Sequence, residues 1–124
     1  PHGGDGGMFG REEIDIIAPA VAKIKAAGID ADGPYPADTI FVKARDGAFD
    51  AVVTMYHDQG QIAMKLMGFN KGVTVSGGLP VAIATPASGT AFDIVSKGVA
   101  DPEGMRQAFL LTCRMADARK NKAS

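Results

Sequence analysis

The sequence contains no tryptophan, one cysteine and two histidines in 124 residues, and each shortage narrows what it can do. A lone thiol cannot close an intramolecular disulfide, so no covalent cross-link holds the chain together. Cys113 lies in the apolar run Phe109-Leu110-Leu111-Thr112-Cys113, which reads as a helix face, and is expected there as a small buried hydrophobe. One cysteine also suits a reducing compartment, and a cytoplasmic location is expected. No apolar run approaches the roughly 18 residues of a membrane helix, and no signal peptide is visible. The formal net charge of -1 removes the electrostatic reason to expect nucleic-acid or anionic-membrane binding, while leaving room for a local site for a small anion.

What is present fits one domain spanning residues 1–124, with 46% hydrophobic and 22% charged residues. The opening Pro1-His2-Gly3-Gly4-Asp5 lacks an initiator Met and reads like the middle of a gene product, so the chain is expected to be part of a longer protein.

Residues 1–10 form a glycine-dense loop. Ile14, Ile17, Val21 and Ile24 recur at helical spacing and predict a helix over Arg11–Ala27, stopped by Gly28 and kinked near Asp15–Ala18 by Pro19. Gly33, Pro34 and Pro36 mark a loop, followed by a short turn from Ala37. The run Ala51–Tyr56 reads as a buried strand, and Gln59–Gly68 as a helix. Gly72–Ser76 and Val81–Ala84 read as further strands, and Thr90–Ser96 as a short helix. Asp101 and Pro102 are expected as N-cap and first residue of a helix running to about Ala118, with a frayed tail from Arg119. Alternating strands and helices argue an α/β fold whose sheet is incomplete within this chain.

The histidines each sit beside glycine or carboxylate. His2 precedes Gly3-Gly4-Asp5, and His57 precedes Asp58. Neutral imidazole is the commonest metal ligand, yet a loop histidine is usually only a loop histidine. Position favours His57, at the C-terminal end of the expected strand, where α/β sheets place ligand sites. Asp58 reads either as a site carboxylate or as the cap of the following helix. Lys65 shares a helix face with Asp58 and Gln61, and reads either as a solvated lysine or as a contact for an anionic substrate. The segment Gly4-Asp5-Gly6-Gly7-Met8-Phe9 does not satisfy the dinucleotide fingerprint.

Tyr56-His57-Asp58-Gln59-Gly60 resembles the family of 4-hydroxythreonine-4-phosphate dehydrogenase. Further stretches agree in order and spacing: Pro1-His2 with Gly6-Gly7 and Gly10-x-Glu12-Glu13; Pro36-Ala37-Asp38-Thr39; Lys65 with Gly68-Phe69; and Gly89-Thr90-Ala91-x-Asp93. The resemblance covers essentially the whole chain, as a C-terminal portion. It implies an α/β/α layered fold similar to isocitrate and isopropylmalate dehydrogenases, and a homodimer with active sites between subunits. It implies metal-dependent, NAD(P)-linked oxidation of a phosphorylated hydroxy amino acid, followed by decarboxylation, with Zn, Mg, Mn or Co as the metal. His2 and His57 match metal ligands, and a third ligand lies upstream in the family. Asp38 and Asp58 match acidic residues beside the metal, and Lys65 a substrate-binding lysine. The metal and substrate loops fall in residues 1–10 and 36–65, and the cofactor loop in residues 86–98. There Gly89, Thr90, Ala91 and Asp93 match adenosine-binding positions, and Asp93 on a ribose hydroxyl favours NAD.

Three positions depart from the family pattern. Ser88 stands where a histidine packs on adenine, and Thr74 and Ile83 stand where the vitamin B6 enzyme has a substrate-contacting Asn and Arg. Losing that Arg removes charge-assisted bonds to a phosphate. A related sugar-acid phosphate or a carboxylated cis-dihydrodiol is the alternative substrate. A catalytically inactive metal-binding fragment is the alternative of another class.

Overall fold

The computed structural model describes residue 3 and residues 5–123. It comprises two compact units, Pro1–Gln59 and Gly60–Ser124, with the division falling inside one helix.

In the first unit the glycine loop leads into a π-helical turn, Glu13–Ile17, and then helix α1, Ala18–Ala26. Pro19 explains this order. Proline lacks an N–H and its ring clashes with the carbonyl four residues back, so it is tolerated only in a helix's first turn. The expected kinked helix is instead re-registered: Ala18 N–H donates to Glu13 O, a five-residue step, and an α-helix restarts with Pro19 in its opening turn. Gly28 closes α1 as expected, at φ 84°. Its N–H donates to Lys25 O and the next N–H to Ile24 O, which satisfies carbonyls that the helix end would orphan.

A connection then leads to helix α2, Ile40–Arg45. Its end repeats the same device, with Gly47 at φ 90° and Ala48 N–H on Lys43 O at 2.9 Å. Ile40 is the buried residue of α2. The expected strand Ala51–Tyr56 does not form. A buried strand needs a neighbour for its backbone groups. Among the described residues none pairs with this run, and Val53 is 84% exposed.

Helix α3, His57–Gly68, starts slightly earlier than expected and runs into the second unit. Strands β1, Val73–Val75, and β2, Ala84–Pro86, pair antiparallel with Thr74 opposite Thr85. β2 thus lies a little beyond the expected Val81–Ala84. Because opposite residues share a face and neighbours alternate, Val73, Val75, Ala84 and Pro86 point one way and Thr74 and Thr85 the other. The first face is turned to helix α4, Glu103–Ala123, where a Cβ added at Gly104 would lie 3.3 Å from Pro86 Cβ. Gly72 is a similar close approach, with Met64 Sδ and Ala87 Cβ each 3.2 Å from the place its Cβ would occupy.

The expected helix Thr90–Ser96 contracts to one 3-10 turn, Phe92–Ile94. Helix α4 outruns its expected end and includes the tail to Ala123; Arg119 is held by donating to Leu79 O at 2.7 Å. Cys113 is exposed, not buried, because α4 turns Ala108 rather than Cys113 inward. Ile40 and Ala108 are the buried hydrophobics among the described residues.

Two predictions concern α4. The Asp101 carboxylate accepts from Glu103 N–H at 2.9 Å, so Asp101→Ala is expected to lower stability by about 1 kcal/mol in urea unfolding. Arg106 and Gln107, donating to Glu103, hold its carboxyl at about 2, below its ordinary 4.5. The contribution of that contact is present above the ordinary value and is lost as pH falls from about 4.5 toward 2. Arg106→Ala should return the Glu103 titration toward the ordinary range, as read by carboxyl NMR.

Candidate functional site

The glycine loop is organised by Asp5. Its Oδ1 accepts from Gly7 N–H at 2.7 Å and Met8 N–H at 3.2 Å, closing a side-chain-to-backbone turn. Gly6 and Gly7 adopt φ of 69° and 90°, which side chains resist. Gly7 also faces Ile14, whose Cδ1 lies 3.0 Å from where a Cβ would stand. His2, expected as a metal ligand, lies outside the described residues.

Asp38 sits in the turn that opens α2. Thr39 and Ile40 N–H groups both donate to Pro36 O, at 3.3 and 3.1 Å, which wraps the chain around Asp38 and leaves its side chain exposed. His57 is the first residue of α3, and Asp58 lies within the first turn. His57 Nδ1 and Asp58 Oδ1 are 2.8 Å apart. A carboxylate on one ring nitrogen sets the tautomer and turns the other nitrogen outward, the arrangement of a ligating histidine. Asp58 is therefore inside the helix and paired to His57; it does not stand outside the helix as an N-cap. Among the described residues no group of three or more His, Cys, Asp or Glu is gathered to hold a metal. The donor chemistry at His57 fits a divalent cation, and the rest of a coordination shell is not assembled from described side chains.

Lys65 is exposed on α3, its Nζ 5.9 Å from the Phe69 ring centroid one turn on. Gly89 and Thr90 are exposed, and Asp93 is exposed within the 3-10 turn. Ala91 just before that turn adopts a left-handed φ of 50°, and its carbonyl accepts from Ile94 N–H at 3.1 Å. Thr74, on β1, points away from α4. Ser76 N–H donates to Ile83 O, so the pairing extends to Ile83 and places it on the same face as Thr74. The structure thus joins His57 to Asp58 and sets Thr74 beside Ile83.

Sequence reasoning passed over the structural part of Asp5, although Asp followed by two glycines is a turn signal. It also passed over Asp32 and Tyr35, which carry no motif. The Asp32 carboxylate accepts from the Tyr35 hydroxyl and from Lys25 Nζ.

Comparison with known proteins gives the chain's family. The family model described as "Pyridoxal phosphate biosynthetic protein PdxA" matches residues 1–112. The chain belongs to the PdxA family. A protein of Pseudomonas aeruginosa, provisionally named 4-hydroxythreonine-4-phosphate dehydrogenase 2, is 70% identical over 93% of the chain and 35% of its own length. The D-threonate 4-phosphate dehydrogenase of Pectobacterium atrosepticum is 48% identical over 94% of the chain and 36% of its own length. The crystal structure of a 4-hydroxythreonine-4-phosphate dehydrogenase from Burkholderia phymatum superposes with a TM-score of 0.69 at 46% identity, over 90% of this chain and 34% of that one. The chain therefore spans about a third of the length of the curated relatives it matches. These PdxA-family relatives are named as dehydrogenases, and the structural match agrees with an α/β class. Among the described residues no helix is long and apolar enough to cross a membrane.

The glycine loop yields a paired prediction. Gly6→Ala meets nothing within 4 Å and bears only the backbone cost of about 1–2 kcal/mol, whereas Gly7→Ala bears that cost and also crowds Ile14 Cδ1 at 3.0 Å, which must shift slightly. Chemical unfolding should rank Gly7→Ala as the more destabilised variant.

Proposed function

We propose that the protein to which this chain belongs oxidises the secondary alcohol of a phosphorylated hydroxy amino acid such as 4-hydroxythreonine 4-phosphate. NAD(P), with NAD favoured, takes the hydride, a divalent metal is required, and decarboxylation of the resulting 3-oxo acid follows. The observation that carries this reading is the His57–Asp58 pair at the start of α3, inside a sequence matched by the PdxA family model.

In this reading His57, with His2 and an upstream histidine, would hold the metal beside Asp38 and Asp58. A bound divalent cation supplies Lewis-acid polarisation of the substrate oxygen. The remaining work falls to the chain. Asp58 keeps the imidazole in one tautomer and orientation. Lys65 offers an ammonium to an anionic substrate group. Asp93 offers acceptors to a ribose hydroxyl, and the exposed Gly89-Thr90 backbone admits an adenosine. The whole protein is read as an isocitrate-dehydrogenase-like α/β/α enzyme working as a homodimer in the cytoplasm.

A second reading, a four-carbon sugar-acid phosphate as substrate, is favoured by Thr74 and Ile83. On the shared face of the β-hairpin they stand where the vitamin B6 enzyme has a substrate-contacting Asn and Arg, so the contacts that tell one phosphorylated hydroxy acid from another differ there. The name of the Pectobacterium relative points the same way. A carboxylated cis-dihydrodiol remains the third substrate to assay. For the 124-residue chain alone we propose catalytic silence, supported by the two buried hydrophobics and the missing donor cluster among the described residues.

The test is NADH formation by the full-length protein with each substrate and with Mg, Mn, Co or Zn. Turnover should appear with one phosphorylated hydroxy acid and vanish with chelator. His57→Ala should lower it on the order of 100-fold or more, the scale of losing a placed catalytic group. No NADH with any substrate and metal would sink the dehydrogenase reading, and sustained turnover by the 124-residue chain would sink the proposal of silence.

A further inference from the structure

The connection between α1 and α2 is bound by a cluster of side chains that the proposed chemistry does not use. Lys25, near the end of α1, donates to Asp32 Oδ1 at 3.0 Å, and the Tyr35 hydroxyl donates to Asp32 Oδ2. The Tyr35 ring packs on Phe49 with centroids 5.4 Å apart and planes inclined at 57°. Lys43 of α2 lays its Nζ 4.6 Å from the same ring centroid. Tyr35 is therefore gripped at its hydroxyl, its edge and its face by residues before, within and after α2. The donors on Asp32 also hold its carboxyl at about 2, so it is a full anion wherever the protein is folded near neutrality.

The backbone of Tyr35 makes the cluster consequential. A Cβ added at Gly3 would lie 2.9 Å from Tyr35 O and 3.5 Å from Pro36 N, so the residue beside His2 rests directly on the Tyr35–Pro36 peptide. Pro36 O in turn closes the turn that carries Asp38, accepting from Thr39 and Ile40. One peptide thus touches the glycine loop on one side and begins the Asp38 turn on the other. Glycines have wide backbone freedom, so a fixed peptide beside Gly3 restricts the approach of the loop to the Asp38 turn.

We propose that Tyr35 is a positioning residue: its anchored side chain fixes the peptide against which the His2-bearing loop and the Asp38 turn are spaced. The functional weight of that spacing rests on the dehydrogenase reading above; the mechanical link does not. A misplaced reacting or binding group lowers the rate far more than it lowers stability.

The experiment uses the full-length protein and the variants Tyr35→Phe, which keeps the ring and removes the donor to Asp32, and Gly3→Ala, which leaves the cluster intact and wedges the loop from the peptide. Hydrogen–deuterium exchange is measured over residues 3–10, 34–40 and 57–68, with kcat, KM for the cofactor and the melting midpoint. In Tyr35→Phe, exchange should rise about fivefold in both of the first segments, the opening released by one net hydrogen bond, and not in the third. Where the wild type turns over, kcat should fall about tenfold in both variants with cofactor KM unchanged. Coupled exchange in a protein without turnover supports the link and defeats only the dehydrogenase reading. Faster exchange confined to 34–40, or equal acceleration in all segments with a large drop in melting midpoint, overturns the positioning role, as does unchanged kcat in an active enzyme.

Discussion

Burial is scarce in this chain, and the rest of the structure is arranged around that scarcity. Ile40 and Ala108 are the buried hydrophobics among the described residues, while Val53 and Leu66 are each 84% exposed. Many other large apolar side chains, Met8, Phe9, Phe92 and Phe109 among them, are also exposed. This exposure accords with a chain that spans about a third of the length of its relatives. Local devices order much of the chain (glycine-closed helix ends, a side-chain cap on α4 and polar ties across short sequence distances), while the hairpin packed on α4 and the Arg119–Leu79 bond tie distant segments of the second unit.

Those devices matter because they place the candidate groups. The π turn absorbs Pro19 and lets α1 end on Gly28, which launches the connection that Lys25, Asp32 and Tyr35 then bind down. That connection delivers Asp38 at the entrance to α2. His57 and Asp58 come instead from the start of α3, adjacent in sequence and paired through the imidazole. The candidate groups thus come from short pieces of chain, rather than from residues pressed together by a common core.

The pairing of β1 with β2 has a different consequence. It divides the hairpin into a face for α4 and a face carrying Thr74 and Ile83. Substitution on the second face leaves the packing of the first face on α4 untouched.

Much of this was legible in the residues themselves. The helix end at Gly28, the Asp101-Pro102 start of α4, the helix after His57 and the family motif around it depend on chemistry within a few positions, and such chemistry is written locally. Three things were decided only in the tertiary structure. Ala51–Tyr56 has strand composition, yet a strand exists only when a neighbour pairs its backbone, and no described residue does so. Cys113 has a buried residue's character, yet the rotation of α4 on the hairpin turns Ala108 inward instead. The grip on Tyr35 joins residues from Gly3 to Phe49, and no spacing rule links them. Sequence determined the family, the approximate places of α1, α3 and α4 and the identity of the candidate groups, because these rest on short-range preferences. Which faces are covered, and which peptide spaces the loops, depend on contacts between distant segments that only the folded chain brings together.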